Sequence, residues 1–125
     1  MRFRASKAKT KTFFTSAGVS YLDKTVTIDE HTLHYIQTGN ENNPTLFFIH
    51  GSPGSWDAYK KYLKDSLLLQ KYRMIAIDRP GFGYSDFGQA ENLPTQAVLI
   101  AKLIQSIDNK KPVTLIGHSM AGRLL

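Results

Sequence analysis

Apolar and polar positions follow two different rhythms along this chain, and each change of rhythm marks an element. Thr25-Val26-Thr27-Ile28 and Thr32-Leu33-His34-Tyr35-Ile36 are short β-rich runs on either side of Asp29-Glu30-His31, the pattern of an antiparallel hairpin. Thr45-Leu46-Phe47-Phe48-Ile49, Met74-Ile75-Ala76-Ile77 and Val113-Thr114-Leu115-Ile116 are continuous, mostly apolar runs bounded by turn-forming residues, as expected of strands buried on both faces. Between them the period becomes helical. Trp56, Tyr59, Leu63 and Leu67 recur at helical spacing behind Ser55, a candidate N-cap, and Asp57, whose charge suits the positive end of a helix. Ala97, Ile100, Ala101 and Ile104 outline the apolar face of a second helix, with Pro94 in its first turn, and Asn109-Lys110-Lys111-Pro112 ends it. Strand, helix, strand, helix, strand over residues 24–125 predicts an α/β domain with a mostly parallel sheet, opened by an antiparallel hairpin.

Residues 1–23 lack such a period. From Met1 to Val19 the chain mixes Lys and Arg with Ser, Thr and Ala, which predicts a flexible or loosely docked segment. Charge adds one point. The formal net charge is +6, but Arg2, Arg4, Lys7, Lys9 and Lys11 precede the first acidic residue, and the remainder of the chain carries eleven basic against ten acidic residues. The basic character belongs to the N-terminal segment, so a nucleic-acid partner is not expected, and a contact of that segment with an anionic membrane surface is the functional alternative to a merely solvated tail. No run approaches the roughly seven apolar residues of a secretory signal core or the about 18 of a membrane span. The chain therefore reads as cytoplasmic by default, or as membrane-associated or envelope-located if an anchor precedes it, since positive residues flank membrane segments. The absence of cysteine excludes disulfides and thiolate metal sites. No metal-ligand cluster stands out, and no cofactor is expected.

Gly117-His118-Ser119-Met120-Ala121 follows a predicted strand directly and can open a helix, the setting of a nucleophile elbow. A sharp strand-to-helix turn pushes the central hydroxyl out of the sheet, and small residues two positions away on each side, here Gly117 and Ala121, avoid collision. The ordinary alternative is that Ser119 only caps a helix. His50-Gly51-Ser52-Pro53-Gly54 tilts the balance, because it too lies at the C-terminal end of a buried strand, where parallel sheets gather their ligand-binding loops.

Three loops in order carry a family resemblance. His50-Gly51-Ser52-Pro53, Asp78-Arg79-Pro80-Gly81-Phe82-Gly83-Tyr84-Ser85 and Gly117-His118-Ser119-Met120-Ala121 resemble the loops after the third, fourth and fifth strands of the α/β-hydrolase fold superfamily. The resemblance covers residues 24–125 and implies a serine hydrolase. Ser119 would be the nucleophile, and the backbone N–H groups of Ser52 and Met120 would form the oxyanion hole. His50 and Gly51 would shape the substrate-binding loop, and His50 and His118 would not be the general base. The loop from Asp78 to Asp86 would be structural, its glycines permitting tight turns. His31 and His34 are read as ordinary surface or packing residues. A serine at the elbow, in place of the aspartate of the dehalogenase and epoxide-hydrolase branches, implies a small-molecule ester, amide or related carbonyl substrate and an acyl-enzyme.

In that family the triad acid and histidine follow the serine, yet residues 120–125 contain neither. A domain of this kind runs to on the order of 250 residues. The expectation is therefore a fold truncated after the elbow, with a bare edge at Val113–Ile116 that favours self-association. The competing reading is a non-catalytic ligand-binding member, or an inactive fragment, of the same fold.

Overall fold

A computed structural model describes residues 5–51, 54–86 and 93–117. Its centre is a five-stranded mixed sheet in the order β1-β2-β4-β3-β5, comprising β1 (Leu22–Ile28), β2 (His31–Thr38), β3 (Thr45–Ile49), β4 (Arg73–Asp78) and β5 (Val113–Gly117). The β1–β2 and β2–β4 pairs are antiparallel, and β4–β3 and β3–β5 are parallel. The hairpin therefore extends the parallel strands through an antiparallel joint. Its turn is tighter than the sequence suggests: Ile28 pairs with His31, so only Asp29 and Glu30 lie outside the ladder. Both have positive φ, 50° and 68°, which gives a two-residue turn the twist that matches its strands.

The period of two in a strand sorts side chains onto opposite faces. Phe47 and Ile49 of β3 join Ile75 and Ile77 of β4 and Leu33 and Tyr35 of β2 on one face. Helix α4 (Leu93–Ser106) covers that face with Leu99, Ile100 and Leu103. The buried stripe is offset from the expected one, and Ala101 is exposed. Larger side chains at 99 and 103 bury more apolar area than the alanines at 97 and 101 would.

Leu46, Phe48, Met74, Ala76 and Ile36 point to the opposite face. The helix expected over Trp56 to Leu67 is broken into a 3-10 turn (Trp56–Tyr59), α2 (Lys60–Leu63) and α3 (Ser66–Lys71). Trp56, Tyr59 and Leu63 are buried as expected, but Leu67 is 68% exposed. Asp65 explains the break: its Oδ1 accepts the N–H groups of Leu67 and Leu68 at 3.0 Å and starts a new helix out of phase. Ser55 makes no capping bond; its hydroxyl donates to Asp57.

In the N-terminal segment, read from the sequence as flexible or loosely docked, the structure has a helix. Residues Lys7–Ala17 form helix α1, capped by the Ser6 hydroxyl and closed by Gly18 in the left-handed conformation. Gly18 N–H donates to Thr15 O and Val19 N–H to Phe14 O, a Schellman closure. Phe14 is fully buried and stacks on Tyr21 and Trp56, with ring centroids 4.7 and 5.9 Å apart. One large aromatic anchor and two good caps do what a periodic apolar stripe usually does. At the other end of the sheet β5 is an edge strand, and with Thr114 and Leu115 exposed it is not the strand buried on both faces that its apolar run predicts. No described helix is long and apolar enough to cross a membrane.

Candidate active site

Adjacent parallel strands deliver their following loops to the same end of a sheet. In the β3–β5 ladder Ile49 is level with Gly117, so the chain leaves β3 as His50-Gly51 beside the point where it leaves β5 toward Ser119. Gly51 and Gly117 together line a cavity of about 320 Å³, whose wall is completed by Ala58, Tyr59 and Tyr62. The Tyr59 hydroxyl donates to Ile49 O at 3.1 Å, fastening that wall to the end of β3, and burial raises its pKa. Ser52, Ser119 and Met120 lie outside the described residues.

His50 is fully buried, and both its ring nitrogens are occupied. Its Nε2 lies 3.0 Å from the N–H of Arg79 and accepts that hydrogen. The ring proton must then sit on Nδ1, which donates to Gly51 O at 2.6 Å. Burial lowers the pKa of this imidazole, which favours the same neutral form. The ring holds the β3 and β4 loops together and presents no free nitrogen to act as a base. Gly54 closes the loop where a Cβ would stand 3.0 Å from Gly51 O and 3.3 Å from His50 Nδ1. Arg79, also buried, donates through Nε to Gln96 Oε1 and lies against the Phe82 ring.

Asp78, at the end of β4, organises the second loop. Its Oδ1 accepts the Trp56 N–H at 2.7 Å, and its Oδ2 accepts the Tyr84 N–H at 2.9 Å. Gly83, with φ +51°, leaves its missing Cβ position 2.2 Å from the Asp78 carboxyl carbon. Ser85 Oγ donates to Asp78 O at 2.6 Å and accepts the His34 N–H at 2.9 Å, while Asp86 Oδ2 accepts the Thr32 N–H at 2.7 Å. The carboxylates at 78 and 86 are thus committed to backbone donors.

His34 corrects the sequence reading most. It is neither a surface residue nor a simple packing residue but a fully buried polar junction between Asp78 and Asp23. Nδ1 lies 2.7 Å from Asp78 Oδ2 and Nε2 lies 2.8 Å from Asp23 Oδ1. Lys7 of α1 continues the chain, with Nζ 2.9 and 2.8 Å from the two Asp23 oxygens and 4.0 Å above the Tyr84 ring. Burial alone would raise the Asp23 carboxyl, but the bonds and charges of Lys7 and His34 outweigh it and hold the pKa below the ordinary value. Strand parity carries a signal for this placement: His34 shares its face with buried Ile36. His31 meets Asp86 at 3.2 Å and is partly exposed. Among the described residues no cluster of three His, Cys, Asp or Glu side chains could hold a metal ion.

Residues 44–125 match the profile of the alpha/beta hydrolase fold. Epoxide hydrolase 1 of Caenorhabditis elegans is 44% identical over 54 residues, covering 43% of this chain and 13% of its own length. An uncharacterized hydrolase of Bacillus subtilis, YugF, is 32% identical over 103 residues, covering 78% of this chain and 36% of its own. The crystal structure of a membrane phospholipase A superposes with a TM-score of 0.80 at 30% identity, over 94% of this chain and 37% of that one. The chain thus spans well under half the length of these relatives. With two thirds of its residues within the family profile, this chain belongs to the α/β-hydrolase fold family.

Proposed function

We propose that Ser119 is the nucleophile of a hydrolase acting on an ester, amide or related carbonyl, with Ser52 and Met120 N–H groups as the oxyanion hole. The observation that carries the reading is the level alignment of Ile49 with Gly117, which starts the Ser52 and Ser119 loops side by side at one sheet end. The Ser119 hydroxyl would add to the carbonyl carbon, and the carbonyl oxygen would take the negative charge. Collapse expels the leaving group and leaves an acyl-serine, which water then hydrolyses. His50 is unsuited to accept the serine proton because its Nε2 is occupied by Arg79. The acid and base of the reaction are therefore assigned to residues other than His50 and Asp78.

Relatives named as epoxide hydrolases and as a phospholipase A both fall within the family. A hydroxyl at position 119 favours acyl chemistry of the phospholipase kind. The test is covalent labelling of the polypeptide carrying this sequence with a fluorophosphonate probe, beside its Ser119→Ala variant. Label on a peptide containing Ser119, absent from the variant, is the expected result, with turnover falling on the order of 10⁶-fold. Equal labelling or turnover of the variant would overturn the assignment.

A further inference from the structure

The N-terminal helix does more than cover one face of the sheet. Between α1 and the segment from Trp56 to Lys60 runs a groove of about 450 Å³, lined by Ser6, Lys9, Thr10, Phe13, Trp56 and Lys60, with Asp57 at its side. Lys60 Nζ lies 5.2 Å from the centroid of the Phe13 ring and Lys64 Nζ 5.8 Å from it, so two lysines one turn apart bracket one aromatic ring. Lys61 is exposed beside them. Lys9, Lys60, Lys61 and Lys64 form no ion pair among the described residues, unlike Lys7, Lys102 and Lys110. The two nearby carboxylates have other work. Asp57 Oδ1 accepts the Ser55 hydroxyl, and Asp65 Oδ1 accepts two backbone N–H groups of α3. Leu67, three residues beyond Lys64 in α3, is the most exposed large apolar side chain among the described residues.

Clustered cations over an aromatic floor, with an exposed leucine three residues beyond Lys64, match an anionic bilayer surface. The ammonium groups meet phosphates at the headgroup level, and a leucine gains free energy only where there is hydrocarbon to enter. A nucleic acid would use the lysines but offer Leu67 nothing. We propose that the groove between α1 and α2, with Lys9, Lys60, Lys61, Lys64 and Leu67, seats the headgroups of anionic phospholipids and docks this face on a membrane. The surface is built by folded elements and is separate from the β3 and β5 strand ends, so it stands independently of the proposed chemistry.

The test is vesicle flotation of the 125-residue chain with phosphatidylcholine alone and with phosphatidylcholine containing phosphatidylglycerol. Binding is expected only with the anionic lipid, weakening as salt rises. A K60E/K61E/K64E variant should lose more than about 10-fold in binding. A K24E/K110E/K111E variant has the same change in net charge on other elements and should stay within about 2-fold of the parent. Leu67→Ser should weaken binding without changing its salt dependence, and circular dichroism should show all variants folded. Equal losses in the two triple variants, equal binding to the neutral vesicles, or displacement from vesicles by a short DNA duplex would each overturn the proposal.

Discussion

The Nδ1 of His34 lies 2.7 Å from the Oδ2 of Asp78, and both side chains are buried. Through this pair the opening hairpin is tied to the loop that follows β4, and through Asp78 Oδ1 to the N–H of Trp56 beyond the β3 loop. The opposite ring nitrogen continues through Asp23 to Lys7 of α1. Four segments distant in sequence are thereby held in one line of polar contacts.

Removing the imidazole should therefore be costly out of proportion to its size. His34→Ala leaves the Asp78 carboxylate buried without one of its partners, a loss of about 3–5 kcal/mol. Lys7 is half exposed, and Lys7→Ala should cost no more than about 1 kcal/mol. Urea denaturation of the two variants measures the difference. Similar midpoints would mean that the buried part of the line adds nothing.

Two glycines separate backbone freedom from available space. Gly18 and Gly83 have positive φ, 70° and 51°, but a Cβ at 18 meets nothing within 4 Å, whereas one at 83 strikes the Asp78 carboxylate. Gly18→Ala should cost about 1 kcal/mol, the conformational penalty alone. Gly83→Ala must also displace Asp78 from its backbone donors and should cost at least about 3 kcal/mol. Thermal melts of both variants provide the comparison, and the order reversed would refute the close approach.

Acid should weaken the fold in two separate windows. Burial lowers the His50 pKa, so below the ordinary imidazole value of about 6.5 the unfolded chain binds a proton that the folded chain refuses. That contribution is complete above about pH 6.5 and is lost as pH falls toward the folded value. The Asp23 pKa is also lowered, and its contribution is present above the ordinary value of about 3.9 and lost as pH falls through the folded value. NMR titration of the His50 ring protons tests the first window: no change on acidification to about pH 6.5 is expected. A midpoint at or above that pH would contradict the buried neutral ring.

Five strands and the order of three loops were legible in the amino-acid sequence because each depends on local pattern. Continuous apolar runs at 45–49, 74–77 and 113–116 are too short for helices and read as strands, and glycine and proline cluster where strands end. The family assignment followed from those loops, and Ser119 stands out by the same local grammar.

What only the tertiary structure decided are the relations that depend on a distant partner. Nothing near Lys7–Ala17 announces a docked helix, because its anchor, Phe14, finds Tyr21 and Trp56 only when the chain has folded. Strand parity could place His34 on a buried face, but not between two carboxylates 11 and 44 positions away along the chain. Asp65 broke a helix that apolar spacing alone had continued to Leu67, since a capping hydrogen bond outweighs periodicity at an exposed position. Local pattern chose the elements. Long-range polar contacts, which can form only after those elements meet, determined which residues fasten the site.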